Sequence, residues 1–379
     1  MEQTTLGQDI KNLGFGLMRL PMLENGEVDL PQLCDMVDCF LSRGFTYFDT
    51  AYGYLGGKSE RAAKVALFDR YPRESFRFAT KMPVWEAATP DDMERMLQES
   101  LSRTGAGYFD FYLLHNVSAS GNRLSRCNEF GAWDWIRTVK ERGLAHHIGF
   151  SFHDSAAVLD DILTKHPYME FVQLQINYAD WESAVVQSRA CYEVARKHGK
   201  PVVIMEPIKG GSLASPPPAV AEVFQKADPT ASLSSWALRF AASLDGLITV
   251  LSGMSTLEQV EQNTEMMMDF KPVSPAERDI YKQAVAQLDK IAQIPCTACR
   301  YCVAECPNHF EIPDHLATYN NYKVYGNLTA NRTHYNWVIS NTGDPADCLE
   351  CGLCESVCPQ KLPIIESLKK IVALLGNEK

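Results

Sequence analysis

The segment Phe48-Asp-Thr-Ala-Tyr-Gly-Tyr-Leu-Gly-Gly-Lys-Ser-Glu60 runs from a short apolar stretch into a polar loop with two adjacent glycines. That is the pattern of a strand passing into its loop, with a helix expected to start near Ser59. The same pattern repeats outward in both directions. From 14 to 253, short apolar runs alternate with longer amphipathic stretches, the βαβα rhythm of a parallel sheet covered by helices. Eight candidate strands result: 14–21, 46–51, 77–82, 110–115, 147–152, 171–175, 201–207 and 247–253. Eight is the number that closes a (β/α)8 TIM barrel. In such a barrel the reactive groups sit where strands end, and three successive expected ends carry ionisable residues: Asp49 with Tyr54 beyond it, then Lys81, then His115.

The stretches between strands carry helix signals. Thr89 is read as a cap, Pro90 as a first-turn proline, and Asp91 and Asp92 as carboxylates favoured by the helix dipole. Leu33, Met36, Val37, Phe40 and Leu41 form one apolar stripe that ends at Gly44, a residue suited to a left-handed cap. Gly56 and Gly57 lack the sequence context of a phosphate loop and are read as loop glycines before a helix. Lys271-Pro-Val-Ser-Pro275 breaks the rhythm, and 276–294 reads as one helix. The division expected is a barrel over 1–285 and a small, mainly helical domain over 286–379.

Hydrophobic residues make up 46% and charged residues 22% of the chain, so it can bury a substantial core. The net charge of -11 argues against a nucleic-acid partner, which calls for clustered cations. No apolar stretch approaches the roughly 20 residues that cross a bilayer, and the first thirty residues show no secretory pattern. A cytoplasmic protein without a membrane partner is expected.

Eight of the twelve cysteines crowd the last part of the chain. Cys296, Cys299, Cys302 and Cys306, followed by Pro307, form C-x2-C-x2-C-x3-C-P. Cys348, Cys351, Cys354 and Cys358, followed by Pro359, repeat it. Three thiolates at that spacing can wrap three corners of an iron–sulfur cubane. Structural zinc ordinarily uses two C-x2-C pairs without a third cysteine so near, and disulfides do not suit a reducing compartment. Over 296–359 the block resembles the bacterial two-cluster ferredoxins. The resemblance implies two 4Fe-4S clusters and, because the fourth cysteine serves the other cluster in those proteins, a crossed assignment. One cluster then takes Cys296, Cys299, Cys302 and Cys358, the other Cys348, Cys351, Cys354 and Cys306. The 41 residues between Cys306 and Cys348 leave another pairing open. The clusters could also act as staples for a domain with a small core.

Over 14–265 the sequence resembles the aldo-keto reductases, whose Asp, Tyr, Lys and His tetrad matches Asp49, Tyr54, Lys81 and His115 in order and context. The chemistry fits the residue types. Reducing a carbonyl needs a proton at oxygen while hydride reaches carbon. Tyr54 is the expected acid, with Lys81 lowering its pKa toward neutrality, Asp49 holding Lys81 charged, and His115 donating to the developing alkoxide. The resemblance places a nicotinamide carboxamide at Ser151 and Gln173, with Met205 where an aromatic ring commonly stacks. It places adenosine phosphates and adenine along Gly253, Ser255, Gln259 and Asn263. The family's usual Ser-Asn pair reads Ser151-Phe152 here, and 253–263 holds no basic residue for a 2′-phosphate. NADP(H) or NAD(H) is therefore implied by resemblance alone, with flavin as the other option.

The function expected is an oxidoreductase acting on a small-molecule carbonyl, with clusters for electron transfer and a ferredoxin or flavodoxin as electron partner. The alternatives are a ferredoxin- or flavin-linked enzyme without nicotinamide, and a non-catalytic redox-sensing subunit. Hydride moves two electrons and each cluster one, which is the gap in that reading.

Overall fold

The structure, a computed structural model, describes residues 6–119 and 122–376. Eight parallel strands close a barrel in sequence order: β1 Gly14–Gly16, β2 Tyr47–Asp49, β3 Arg77–Met82, β4 Phe109–Val117, β5 Ala145–Phe152, β6 Phe171–Gln175, β7 Val202–Met205 and β8 Leu247–Gly253. Closure is made by β8 against β1, with Gly14 beside Leu251.

The period of two along each strand explains both the core and the site. Tyr47, Ala79, Phe111, Leu113, Phe171 and Val203 form a cluster of their own inside the barrel. Their neighbours Phe48, Phe78, Tyr112, Val172 and Ile204 belong to the larger core between strands and helices. Moving two residues onward from the inner set gives Asp49, Lys81, His115, Gln173 and Met205. The candidate residues on β2, β3, β4, β6 and β7 are therefore the next inward positions, at the C-terminal rim where a barrel presents its reactive groups. Packing is tight enough to dictate composition on β5: a Cβ at Gly149 would lie 2.6 Å from the Phe171 carbonyl oxygen.

The sequence overestimates some strands. The first ends at Gly16 rather than 21, where the chain passes into a turn at Leu17 and Met18. The fourth runs on to Val117 through a register shift after Leu114, with Asn116 in the left-handed region at φ 51°. The cap expected at Thr89 is reversed. Asp92 accepts hydrogen bonds from the Thr89 hydroxyl and from the backbone N–H groups of Ala88 and Thr89, at the start of helix Asp91–Thr104. Helix Pro275–Leu288 stops six residues before 294.

The chain falls into two compact units, 1–210 with 234–274, and 211–233 with 275–379. The second unit thus takes a piece of chain that lies within 1–285 in the linear reading. In it, helix Pro218–Ala227 meets helix Pro275–Leu288, the Phe224 and Tyr281 rings lying 5.6 Å apart. Helices Ile312–Tyr325, Leu328–Thr342 and Ile364–Leu375 enclose a core of Phe310, Ile312, Leu316, Tyr335, Leu368 and Ile371 together with Cys302 and Cys354. Among the described residues, no helix is long and apolar enough to cross a membrane.

Candidate active site and cluster cavities

Asp49 closes β2, and five residues later Tyr54 opens a 3-10 turn, Tyr54–Gly57, in which Leu55 and Gly56 adopt left-handed conformations. Gly57, at φ 82°, then starts helix Lys58–Ala63. This tight reversal returns Tyr54 over the rim. Lys81 Nζ donates to Asp49 Oδ1 at 2.5 Å and to the Thr50 carbonyl at 2.6 Å, and it lies 5.1 Å from the centre of the Tyr54 ring. Lys81 is 1% and Asp49 3% exposed, so the ion pair is shielded from water. The Tyr54 and His115 rings meet edge to face at 5.7 Å, and the Trp85 ring stands 5.2 Å from His115. The tetrad read from the sequence is one contiguous group.

Its electrostatics depart from expectation at one point. Burial pulls Lys81 down, but Asp49 and then Tyr54 more than offset this, so its ammonium is held above the ordinary value. Burial likewise pushes the Tyr54 phenol up, and Lys81 opposes that without reversing it. The predicted fall of Tyr54 toward neutrality is therefore not found: in the crowded rim desolvation outweighs a single ammonium, and the phenol stays protonated. His115 is driven well below its usual value by burial first and then by Lys81, His153 and Arg123, so its imidazole is neutral. What this arrangement offers is a protonated hydroxyl beside a fixed positive charge and a neutral imidazole.

Among the described residues, three buried polar atoms around the tetrad have no hydrogen-bond partner: Asp49 Oδ2, His115 Nδ1 and Gln173 Oε1. Ser151 Oγ accepts from the Asn116 N–H at 2.7 Å, which leaves its own hydroxyl hydrogen to donate. Asn177 is held by Asp180 and the Glu206 carbonyl, a structural role. On the segment after β8, Gln259 Oε1 accepts from the Ser255 N–H and Asn263 donates to Ser252 Oγ, so both side chains are engaged within the segment. Arg19 was missed by sequence. Its carbonyl accepts from Ser255 Oγ, its stem lies against Gly253, and its guanidinium reaches Gly210, bridging the loops after β7 and β8.

In the second unit the eight cysteines divide into two recesses. Cys306, Cys348, Cys351 and Cys354 line one; Cys296, Cys299, Cys302 and Cys358 line the other; Ile312 lines both. The two halves repeat in backbone as well as in sequence. Ala298 and Arg300 flank Cys299 with positive φ, as Glu350 and Gly352 flank Cys351, and His309 and Lys361 do the same three residues after Cys306 and Cys358. Left-handed residues other than glycine are uncommon, and alternating them turns N–H groups inward, the form of a backbone anion cradle. The Ala298 N–H donates in this way to Cys296 Sγ at 3.4 Å. Burial pushes the Cys302 thiol up to about 12 and the Cys354 thiol up to about 11, so ionising them calls for a cation to ligate. Among the described residues no three acidic, His or Cys side chains converge on a single-ion point. A cubane asks for a different layout, with thiolates spread over separate iron corners.

The chain is similar to known proteins in both regions. Residues 12–285 match the sequence model of the Aldo/keto reductase family, and residues 295–362 that of the 4Fe-4S dicluster domain. The chain is 26% identical over 185 residues to a probable aldo-keto reductase 1 of Glycine max, covering 47% of this chain and 50% of that one. It is 26% identical over 249 residues to an aldo-keto reductase of Mycolicibacterium vanbaalenii, covering 65% and 81% respectively. A crystal structure of an aldo-keto reductase from Klebsiella pneumoniae in complex with NADPH superposes with a TM-score of 0.59 at 18% identity, over 74% of this chain and 94% of that one.

Proposed function

The chain belongs to the aldo/keto reductase family and carries a 4Fe-4S dicluster domain, and from that premise we propose that it reduces the carbonyl group of a small molecule with hydride from NADPH or NADH. The observation that carries the proposal is the buried Lys81–Asp49 pair beside a protonated Tyr54. A phenol in that state is a proton donor aimed into the rim. As hydride adds to the carbonyl carbon, oxygen gains negative charge and takes the Tyr54 proton, giving the alcohol. Lys81 stabilises the phenolate left behind, and His115, neutral, hydrogen-bonds the same oxygen. Asp49 keeps Lys81 charged.

The residues at the rim suit a nicotinamide nucleotide. The unpartnered Gln173 Oε1 can accept from a carboxamide N–H, and the Ser151 hydroxyl can donate to its carbonyl. Met205 offers a polarisable face to the ring. Arg19, with Gly253 and Ser255 beside it, supplies the positive charge for a diphosphate that 253–263 lacks. The bound nucleotide would supply the hydride.

We assign the catalytic part to 1–285 and the cluster part to 286–379. The crossed quartets would hold the two clusters, since each recess already presents four thiols. The hydride supplies both electrons of the carbonyl reduction, so one-electron exchange at the clusters, with a ferredoxin or flavodoxin as the proposed outside partner, would couple to it only through a flavin or a radical-tolerant substrate.

The test is anoxic mixing of the reconstituted holoprotein with NADPH or NADH and a panel of aldehydes. Nucleotide oxidised in step with alcohol formed is the expected result. Intact clusters with no nucleotide consumed by any aldehyde would dismiss the reading.

A further inference from the structure

We infer that Arg103 is a positioning residue for the proton donor: its guanidinium fixes the turn that carries Tyr54 against the strand that carries Lys81. The inference deepens the reductase reading and rests on it for the role of Tyr54.

The turn calls for such a fastening. Leu55, Gly56 and Gly57 all have positive φ, and a left-handed run that includes a leucine is held by its surroundings rather than by its own preference. Arg103 lies in the last turn of helix Asp91–Thr104 and meets the chain on both sides of Tyr54. Upstream, its Nη1 donates to the Tyr52 carbonyl at 3.1 Å, and its guanidinium carbon lies 4.2 Å from the centre of the Tyr52 ring. Downstream, Nη1 donates to Glu60 Oε2 at 3.2 Å, and a Cβ on Gly57 would come within 3.0 Å of it. Nη2 donates at 3.2 Å to Glu99 Oε2, which also accepts from the Tyr52 hydroxyl at 2.6 Å.

The link to Lys81 runs through Glu60, which is fully buried. Its Oε1 accepts from the Thr80 hydroxyl at 2.9 Å, on β3 immediately before Lys81. A second link is the Tyr52 N–H, which donates to the Lys81 carbonyl at 3.2 Å. These contacts are with backbone and with side chains outside the tetrad, so Arg103 acts through where Tyr54 is placed. The charges around it fit a clamp: Glu60 and Glu99 pair with it, the half-buried Glu86 feels it, and of the nearby cations Arg95 is itself paired with Asp92 and Glu99 while Arg61 lies beside Gly57. A lysine would keep the charge, but one ammonium lacks the planar fork that serves Tyr52, Glu60 and Glu99 together.

The experiment compares the holoprotein with its Arg103→Lys variant. Amide hydrogen exchange followed by mass spectrometry should quicken across 52–58 in the variant and stay unchanged in β5 to β8. Carbonyl kcat should fall roughly tenfold to a hundredfold, the range for a reacting group misplaced by about 1 Å, while nucleotide affinity stays within about twofold. In a Tyr54→Phe background the same change should alter residual turnover by less than about twofold, since the group to be positioned is gone. Unaltered exchange across 52–58 overturns the inference, with or without turnover. So does an equal fall in both backgrounds, or nucleotide binding weakened in step with kcat, because a general structural role would produce either. If Arg103→Lys does not fold, Glu60→Gln, which keeps the side-chain shape and removes the buried charge, carries the same comparisons with the same outcomes. Quickened exchange across 52–58, with no nucleotide oxidised by any aldehyde, leaves the clamp standing and removes the reductase reading.

Discussion

The Lys81 ammonium lies 5.1 Å from the centre of the Tyr54 ring, yet the phenol sits above its ordinary pKa because burial outweighs that charge. A group with a raised pKa keeps its proton to higher pH, so the proposed acid is competent throughout the neutral range. His115 has the opposite shift, and its imidazole stays neutral well below its usual midpoint. The pH profile of kcat/KM should therefore be flat through the neutral range and fall only on the alkaline side, beyond the ordinary tyrosine range. A basic limb near neutrality would mean that Lys81 wins over burial after all.

Removing the proton without disturbing the packing isolates the role of Tyr54. Tyr54→Phe keeps the ring that faces His115 and deletes the hydroxyl. Carbonyl turnover should drop by roughly a hundredfold to ten-thousandfold, the range for loss of a positioned acid. Nucleotide affinity, measured by fluorescence titration, should change little, since the residues assigned to the nucleotide lie on other strands. Retained turnover would remove Tyr54 from the mechanism.

The Lys81–Asp49 pair is buried, and breaking one side of it strands a charge. Asp49→Asn should destabilise the holoprotein by about 3–5 kcal/mol in urea unfolding followed by circular dichroism. Asp49→Asn combined with Lys81→Met removes both charges and should recover part of that loss. If the double variant is as unstable as the sum of the singles, the pair is not coupled as its 2.5 Å contact implies.

The sequence carried the barrel because strand periodicity is local: Tyr47 and Asp49, Ala79 and Lys81, Leu113 and His115 each differ by two residues, and that spacing alone puts them on one inward row. The end of β1 was not legible, since the turn at Leu17 and Met18 carries no glycine or proline to mark it. Arg19 carried a usable signal. It lies near the end of the first expected strand, 14–21, and the rule that picked out Lys81 and His115 would have picked it out too. The approach of Arg19 to Gly210 and Gly253 had no such signal, because it joins loops far apart in sequence. The direction of the Tyr54 shift was hidden for a related reason. Neighbouring charges can be read from a motif, whereas desolvation is the sum of every element that crowds the rim. The grouping of 211–233 with 275–379 likewise has no local mark.

The crossed cysteine quartets lead to a prediction that a single structure of the chain motivates and iron counting decides. Cys306 shares its recess with Cys348, Cys351 and Cys354, while Cys299 lies in the other. Replacing Cys306 and Cys351 together by alanine should damage one cluster only, leaving about four irons and four sulfides per chain. Replacing Cys306 and Cys299 together should damage both and leave close to none. If each motif instead held its own cluster, the results would exchange: Cys306 and Cys299 would cost one cluster, Cys306 and Cys351 two. Alanine is the right replacement because a serine oxygen can still ligate iron and blur the count. The two double variants carry the same number of lost thiols, so general destabilisation of the domain cannot account for a difference between them. Iron and acid-labile sulfide assayed after anoxic reconstitution, normalised to protein, give the answer.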